Sequence, residues 1–381
     1  SYGDLLLKEL ATRLQTWARD QDTVARLGGD EFIVVLSSIK EAADAAVAAE
    51  RIANAVSAEF TLQGRVLNVT CSIGISIYPD HGEDVETLTK HADAAMYSSK
   101  EGGRNTFRFF TEQMNAEVLE QLTLESSLHT ALERQQLFLM YQPVMDVANG
   151  EVTCCEALVR WQHPQIGLIP PDKFIGIAEN SGMIVPIGEW VMKTACAEAK
   201  VWHDAGFAVP VAVNVSAVQF RQEGFCDMVK RVLRETGLEA RYLELELTES
   251  LLLSNEDVMF EVLGELQATG IRLAIDDFGT GYSSLNYLKQ LPVTKLKIDR
   301  TFIRDLAENS SDAAITTAII NMAKCLKLKV TAEGVENEAQ LSLLREYKCD
   351  EAQGYFFGQP LMADEIRQSL QRKSKTVQLG K

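Results

Sequence analysis

Leu243-Glu244-Leu245-Glu246-Leu247-Thr248 alternates apolar and polar residues over six positions. Such alternation marks a β-strand, whose successive side chains point to opposite faces. The leucines take one face and the glutamates the other. The rhythm returns at 211–216, where three valines oppose Ala212, Asn214 and Ser216. It returns again at 295–299, where Leu296 and Ile298 oppose Lys295, Lys297 and Asp299. Charge on the inner face of a strand needs a partner or a task.

Outward from these runs, residues 137–372 hold eight strand-like stretches, mostly alternating with helical patterns. They lie at 138–145, 152–161, 211–216, 243–248, 272–276, 295–299, 329–333 and 353–357. That number of βα units in this length is the size and rhythm of a TIM-like (β/α)8 barrel. The first two stretches are joined by a short loop containing Asn149-Gly150, a hairpin turn signal. A tight hairpin makes its strands antiparallel. The expected fold is therefore α/β, a barrel whose first strand runs against the rest.

Residues 1–107 read as a separate α/β unit. Helical spacing covers 5–17, 41–57 and 85–100, and strands are expected at 23–26, 32–36 and 68–78. Gly28-Gly29 marks a hairpin turn between the first two of these strands. Residues 108–136 read as a connecting helix with Met114, Val118, Leu122, Leu128 and Leu132 on one face. Residues 373–381 are polar and expected to fray. The chain opens at Ser1 inside a helical pattern, which points to an upstream segment.

The composition narrows the function. The 381 residues carry 37 basic and 54 acidic side chains, a net charge of −17. An acidic chain repels the phosphates of duplex nucleic acid, so that partner is not expected. Seven scattered cysteines without a CxxC spacing read as reduced thiols, which fits a cytoplasmic location. No apolar run reaches membrane-spanning length, so any attachment to the bacterial inner membrane would lie upstream.

Polar groups gather near the ends of the barrel strands: Glu156, Asn214, Glu246 with Glu249, Asp276-Asp277, Lys297 with Asp299, Glu333 with Glu336, and Gln353. Barrels of this type place their chemistry at the C-terminal mouth. Converging carboxylates repel one another unless cations offset them, and oxygen-only ligands favour Mg2+ or Mn2+. Adjacent Asp276 and Asp277 can serve two neighbouring ions. A pair of ions activates water and stabilises an in-line displacement at phosphorus. Lys297 would orient that water or neutralise developing charge. These residues alone read as a metal-dependent phosphate-ester hydrolase. The Gly-rich run 279–284 directly after the Asp pair reads as a phosphate cradle or as a gate on the acids.

Glu156-Ala157-Leu158-Val159-Arg160-Trp161 resembles the motif of the EAL domain, the cyclic di-GMP phosphodiesterase. The resemblance runs over about 120–370. It includes Asn-Val-Ser at 214–216, Glu-Leu-Thr-Glu at 246–249 and Asp-Asp-Phe-Gly-Thr-Gly-Tyr-Ser-Ser-Leu at 276–285. It continues through Lys-Ile-Asp at 297–299, Ala-Glu-Gly-Val-Glu at 332–336 and Gln-Gly-Tyr at 353–355. It implies hydrolysis of cyclic di-GMP to the linear dinucleotide. It also implies that Glu156, Asn214, Glu246 and Asp276 hold one ion, and Asp276 and Asp277 the second. Lys297 and Glu333 would position or activate water, and Glu249 would brace the loop at 278–284. Glu336 and Gln353 would support the second ion and its water. Gln142, Leu158 and Arg160, together with Gln353, would lie at the substrate, Arg160 on a phosphate.

Gly28-Gly29-Asp30-Glu31-Phe32 resembles the GGDEF domain, the diguanylate cyclase. By that resemblance Lys100 and Arg104 contact phosphate, Asp4 contacts guanine, and Arg19 with Asp22 matches an RxxD inhibitory site. The family's first strand, with its Asp-x-Asp-x-Phe motif, is absent from the sequence, so cyclase activity is not expected of these residues. Further implications are GTP as a regulatory partner, a homodimer through the barrel, and control of the switch between motile and biofilm growth. The competing reading is a receptor that binds cyclic di-GMP without hydrolysing it.

Overall fold

A computed structural model of the chain describes residues 2–379 apart from 20, 40, 63, 64, 68, 253–255 and 280–287. The chain divides into two compact units, Ser1–Thr123 and Leu124–Lys381. Among the described residues no helix is long and apolar enough to cross a membrane. All seven cysteines are free thiols.

In the first unit, α1 (Tyr2–Trp17) precedes a hairpin of β1 (Thr23–Gly28) and β2 (Glu31–Val35), which pair antiparallel as Gly28-Gly29 predicts. Helix α2 (Ala42–Ser57) starts on a capping box between Glu41 and Asp44. The hairpin β3 (Phe60–Leu62) and β4 (Arg65–Leu67) follows, then β5 (Ile73–Ile75), α3 (Val85–Glu101) and β6 (Phe107–Phe109). The expected strand at 68–78 shortens to the three residues of β5. Strand pairing needs a neighbour, and β5 finds a parallel one in β6, which alternation did not reveal. Gly74 fixes the contact with α3, because a Cβ there would stand 1.9 Å from the carbonyl oxygen of Ala92.

Helix α4 (Glu112–Ala131) crosses the division between the units, inside the stretch expected as a connector. In the first unit Met114 packs on Ala94, Ala95 and Phe110. In the second, Leu124, Leu128 and Ala131 join the large apolar core.

The second unit is the expected barrel. Its strands are β7 (Leu137–Asp146), β8 (Val152–His163), β10 (Val211–Val215), β11 (Leu243–Thr248), β12 (Arg272–Phe278), β13 (Lys295–Ile298), β14 (Lys329–Ala332) and β15 (Glu351–Ala352). Two short additions, β9 (Gly167–Ile169) and β16 (Leu361–Met362), pair on β8 and β7. From β8 through β15 every neighbouring pair of barrel strands is parallel. Strand β7 closes the barrel and pairs antiparallel with both β8 and β15, the reversal that Asn149-Gly150 implies. Asp146 fixes that turn by accepting from the backbone N–H groups of Ala148 and Asn149 at 2.9 and 3.0 Å.

The alternation seen in the sequence sorts the two faces of the barrel wall. Val211, Val213, Val215, Leu243, Leu245, Leu247, Leu296 and Ile298 join the core shared with the surrounding helices. The opposite face is largely polar and carries Glu244, Glu246, Lys295 and Lys297, all buried. Its apolar part includes Val144, Cys154 and Ala212.

The expected strand at 353–357 does not form. Strand pairing ends at Ala352, and the chain turns under the loop after β14. Gly354 lies so close that a Cβ would stand 2.1 Å from the carbonyl oxygen of Val335. Backbone contact there overrides the β-propensity of Tyr355-Phe356-Phe357.

Candidate active site

Lys297 stands at the centre of the barrel mouth. Its ammonium lies 2.6 Å from Glu333, 2.7 Å from Glu246, 3.1 Å from Asp276 and 3.6 Å from Glu156. The residue is 1% exposed. Strands β8, β11 and β12 supply three of the acids, the residue after β14 supplies the fourth and β13 the lysine, so tertiary closure alone brings them together.

Glu156 is the most tightly held acid. Asn214 Nδ2 donates to its Oε1 and Gln353 Nε2 to its Oε2, each at 2.6 Å. Burial works to raise its pKa, but Lys297 and these two amides outweigh burial and hold it below the ordinary value. Gln353 Nε2 also donates to Gln142 Oε1 at 3.1 Å, and Gln142 donates to the carbonyl oxygen of Gly358 at 3.2 Å.

The remaining acids are in electrostatic excess. Glu246 is pushed well above its ordinary pKa, chiefly by burial, with Glu156, Asp276 and Glu244 adding repulsion against the pull of Lys297. Burial and the repulsion of Asp276 and Glu156 raise Glu333 to about 8, against the pull of Lys297. Asp277 rises to about 6 through partial burial and the charges of Asp276 and Asp299. For Lys297, burial works to lower the pKa, but the surrounding acids outweigh it and hold the group well above its ordinary value. The ammonium therefore stays protonated.

Oxygen atoms of Asp276, Asp277 and Glu333 all lie within 4.8 Å of one another. In a regular strand Asp276 and Asp277 would face opposite ways. Two features bring them to one cluster. The register between β12 and β13 slips between Ile275 and Phe278, which inserts one extra residue at the Asp pair. Asp277 also adopts a left-handed φ of 54°, a conformation that Asp tolerates better than most residues. Bulges of this kind re-aim side chains beside active sites. The three acids form an all-oxygen cluster with more negative charge than Lys297 offsets. That donor set fits hard divalent cations.

Around this centre Glu249 Oε2 accepts from the backbone N–H of Gly279 at 2.9 Å, at the entrance to the Gly-rich run. Residues 280–284 of that run lie outside the described residues. Leu158 and Arg160 extend along β8 beyond Glu156, opposite Met140 and Phe138 of β7. Arg160 is half-buried and donates to the carbonyl oxygen of Val159 at 2.8 Å; burial pulls its pKa below the ordinary value against the pull of nearby Glu156. Glu336 is exposed and is not part of the three-carboxylate cluster.

Two features lie beyond the sequence assignments. Asp299 sits beside Asp277 and accepts from the backbone N–H of Thr301 at 2.9 Å, capping helix Arg300–Arg304. Its place at a strand end was the available signal. Beneath the Lys297 cluster lies a second buried one. Lys295 Nζ contacts Glu244 at 2.7 Å and Glu351 at 2.8 Å. The Leu-Glu alternation places Glu244 inward, but nothing local marks Glu351.

In the first unit, Asp4, Lys8, Arg26 and Phe32 help line a groove of about 390 Å³. Gly28, Gly29, Asp30 and Glu31 form the exposed tip of the hairpin, and Arg26 holds it by donating twice to the Gly29 carbonyl oxygen at 2.6 and 3.0 Å. Lys100 lies in the last turn of α3 and Arg104 occupies a left-handed turn. Neither lines the groove. Asp22 accepts from the backbone N–H groups of Arg19 and Ser37 at 3.1 and 3.3 Å, so its carboxylate braces a turn.

Comparison with known proteins bears on both units. The family model described as "EAL domain" matches residues 125–360, and that described as "Diguanylate cyclase, GGDEF domain" matches residues 1–106. A bifunctional diguanylate cyclase/cyclic di-GMP phosphodiesterase, MucR of Pseudomonas aeruginosa, is 47% identical over 97% of this chain and 54% of its own length. The cyclic di-GMP phosphodiesterase PdeR of Escherichia coli is 40% identical over 95% of this chain and 54% of its own length. A solved structure described as "PaMucR Phosphodiesterase, c-di-GMP complex" superposes with a TM-score of 0.63 at 48% identity. It covers 64% of this chain and 99% of its own. The chain thus spans about half the length of these curated relatives.

Proposed function

The chain belongs to the EAL domain family, with a GGDEF domain ahead of the barrel, and from that membership we propose that the barrel hydrolyses cyclic di-GMP to its linear dinucleotide. The observation that carries this reading is the placement of one buried ammonium among four carboxylates, next to the Asp276–Asp277–Glu333 oxygen cluster.

Glu156, Asn214, Glu246, Asp276 and Asp277 would hold Mg2+ or Mn2+. Bound cations supply Lewis acidity towards phosphoryl oxygen and make a bound water more acidic. The protein's own side chains carry the remaining work. Asn214 and Gln353 keep Glu156 oriented and ionised. Lys297 remains an ammonium, so it orients the attacking water and offsets charge that develops on the phosphoryl group. Glu333 lies 2.6 Å from that ammonium and takes the proton as the water oxygen bonds to phosphorus. One ester P–O bond breaks in exchange, and the departing sugar oxygen gains a proton. Arg160, Leu158 and Gln142 line the approach from β7 and β8, where Arg160 would pair with a phosphate.

GTP at the first unit, regulation of the barrel by that unit, and a second copy of the chain bound through the barrel are further parts of this reading. The groove lined by Asp4, Lys8 and Arg26 supports the GTP assignment. Sedimentation and turnover measured across a GTP titration test them together.

The central experiment incubates the chain with cyclic di-GMP and Mg2+ or Mn2+, then with chelator, and separates the nucleotides by chromatography. Linear dinucleotide that appears only with metal is the expected result. Bound but intact cyclic dinucleotide would make the barrel a receptor instead.

A further inference from the structure

The strand that ends just before Gln353 is the shortest in the barrel wall. Strand β15 has only two residues, Glu351 and Ala352. It nevertheless closes the barrel, pairing parallel with β14 and antiparallel with β7. Gln353, the next residue, makes a 2.6 Å contact to Glu156. A strand so short gains little register from its own ladder. A slip of one residue would turn each side chain to the other face.

The side chain of Glu351 supplies what the ladder lacks. It is 2% exposed and points into the barrel. Its Oε2 lies 2.8 Å from Lys295 Nζ and accepts from the Thr331 hydroxyl at 3.1 Å. Lys295 in turn reaches Glu244 on β11 at 2.7 Å, and Lys329 reaches Glu351 Oε1 at 3.3 Å from the rim. One carboxylate thus ties β15 to β13 and β14 directly, and through Lys295 to β11 across the interior. Gln353, two positions on, also reaches inward, where its amide meets Glu156.

We propose that the Glu244–Lys295–Glu351 triad is a positioning device for the active site: it sets the register of β15 and so aims the Gln353 amide at Glu156. This rests on the reading of Glu156 as a cation ligand. None of the three is among the residues proposed to meet the substrate or the cation. They act through Gln353, as groups that orient a metal ligand do.

The test is a double-mutant cycle on the full chain between Glu351→Gln and Gln353→Ala. Glutamine keeps the shape of Glu351 and an oxygen for Thr331, and Lys295 retains Glu244. A second route, Glu244→Gln/Lys295→Met/Glu351→Gln, removes all three charges and strands none of them. Three quantities are read: Mn2+ affinity from the free-ion paramagnetic resonance signal, turnover of cyclic di-GMP, and thermal midpoint. Glu351→Gln should weaken Mn2+ binding by about tenfold when Gln353 is present. With Gln353→Ala already in place it should weaken it by less than about twofold, while its effect on the thermal midpoint persists. The triple variant should behave in the same way.

Equal losses of Mn2+ affinity in both backgrounds would overturn the proposal, because the triad would then act by another route. A lower thermal midpoint with unchanged Mn2+ binding would overturn it as well, leaving a structural ion triad. Coupling without turnover in the unmodified chain would uphold the triad's role and defeat the phosphodiesterase reading. Turnover without coupling would do the reverse.

Discussion

Lys295 and Lys297 sit two residues apart on one strand, face the same interior and are both almost fully buried. Their surroundings differ in charge balance. Lys295 meets Glu244 and Glu351, with Lys329 reaching in from the rim. Lys297 meets four carboxylates, and Asp277 stands beside them. Burial works to lower the pKa of both lysines, but the acids around them outweigh it and raise both above the ordinary value. The lower layer is close to neutral and closed. The upper layer holds more carboxyl groups at the open end than its lysine can offset once they ionise. A buried ion cluster that balances itself holds strands in place and takes no further ion. One that remains unbalanced at a mouth is a site waiting for cations.

The largest expected effect separates the layers directly. Lys297→Met should reduce turnover by about 10²–10³-fold, the range for losing one preorganised charge at a reacting centre. Lys295→Met should chiefly reduce stability, by about 3–5 kcal/mol, because it leaves Glu244 and Glu351 buried without their shared cation, with a smaller loss of turnover passed on through Gln353. Denaturant titration and steady-state kinetics on both variants check the contrast. A Lys295→Met chain that keeps its stability but loses all turnover would erase the distinction.

The upper layer alone should also bind protons in place of cations. Without metal, Glu333 is raised to about 8 and Asp277 to about 6, each above its unfolded value. A group raised on folding stabilises the folded chain fully below its unfolded pKa and ceases to do so as pH passes its folded pKa. These two groups should therefore lower the stability of the metal-free chain as pH rises from about 4 to 8. Mg2+ or Mn2+ displaces the protons, so its stabilising effect should grow over the same range. Thermal melts with and without metal at a series of pH values test this. Glu351 behaves oppositely: burial opposes it, but Lys295 prevails and holds it below its ordinary value. A thermal midpoint that is flat between pH 5 and 8 with chelator present would contradict the contrast between the layers.

Much of this was legible in the sequence, for definite reasons. Alternation at 211–215, 243–248 and 295–298 places the right residues inward, because period two is imposed by backbone geometry. Asn149-Gly150 reveals the reversed strand, because turn chemistry is local. The resemblance to the EAL and GGDEF families agrees with both family matches. What stayed hidden depends on non-local geometry. The bulge at Asp276–Asp277 arises from pairing with β13. The end of β15 before Tyr355 arises from contact with the loop at Val335. The lower layer bears the same inward Glu-and-Lys signature as the upper one, and only depth in the barrel separates them.

The smallest effect probes how the lower layer is held together. Thr331 is 1% exposed and gives its hydroxyl to Glu351 at 3.1 Å. Valine has nearly its shape, so Thr331→Val removes one hydrogen bond without opening a cavity. Lys295 and Lys329 remain to hold the carboxylate in place. The cost should be about 1 kcal/mol, with turnover changed by less than about twofold. Such a result would show that Glu351 is fixed mainly by charge, so that β15 keeps its register when a neutral contact is lost. A drop in turnover of tenfold or more would move Thr331 from bystander to anchor. The lower layer would then owe its geometry to a neutral hydrogen bond rather than to its balanced ions.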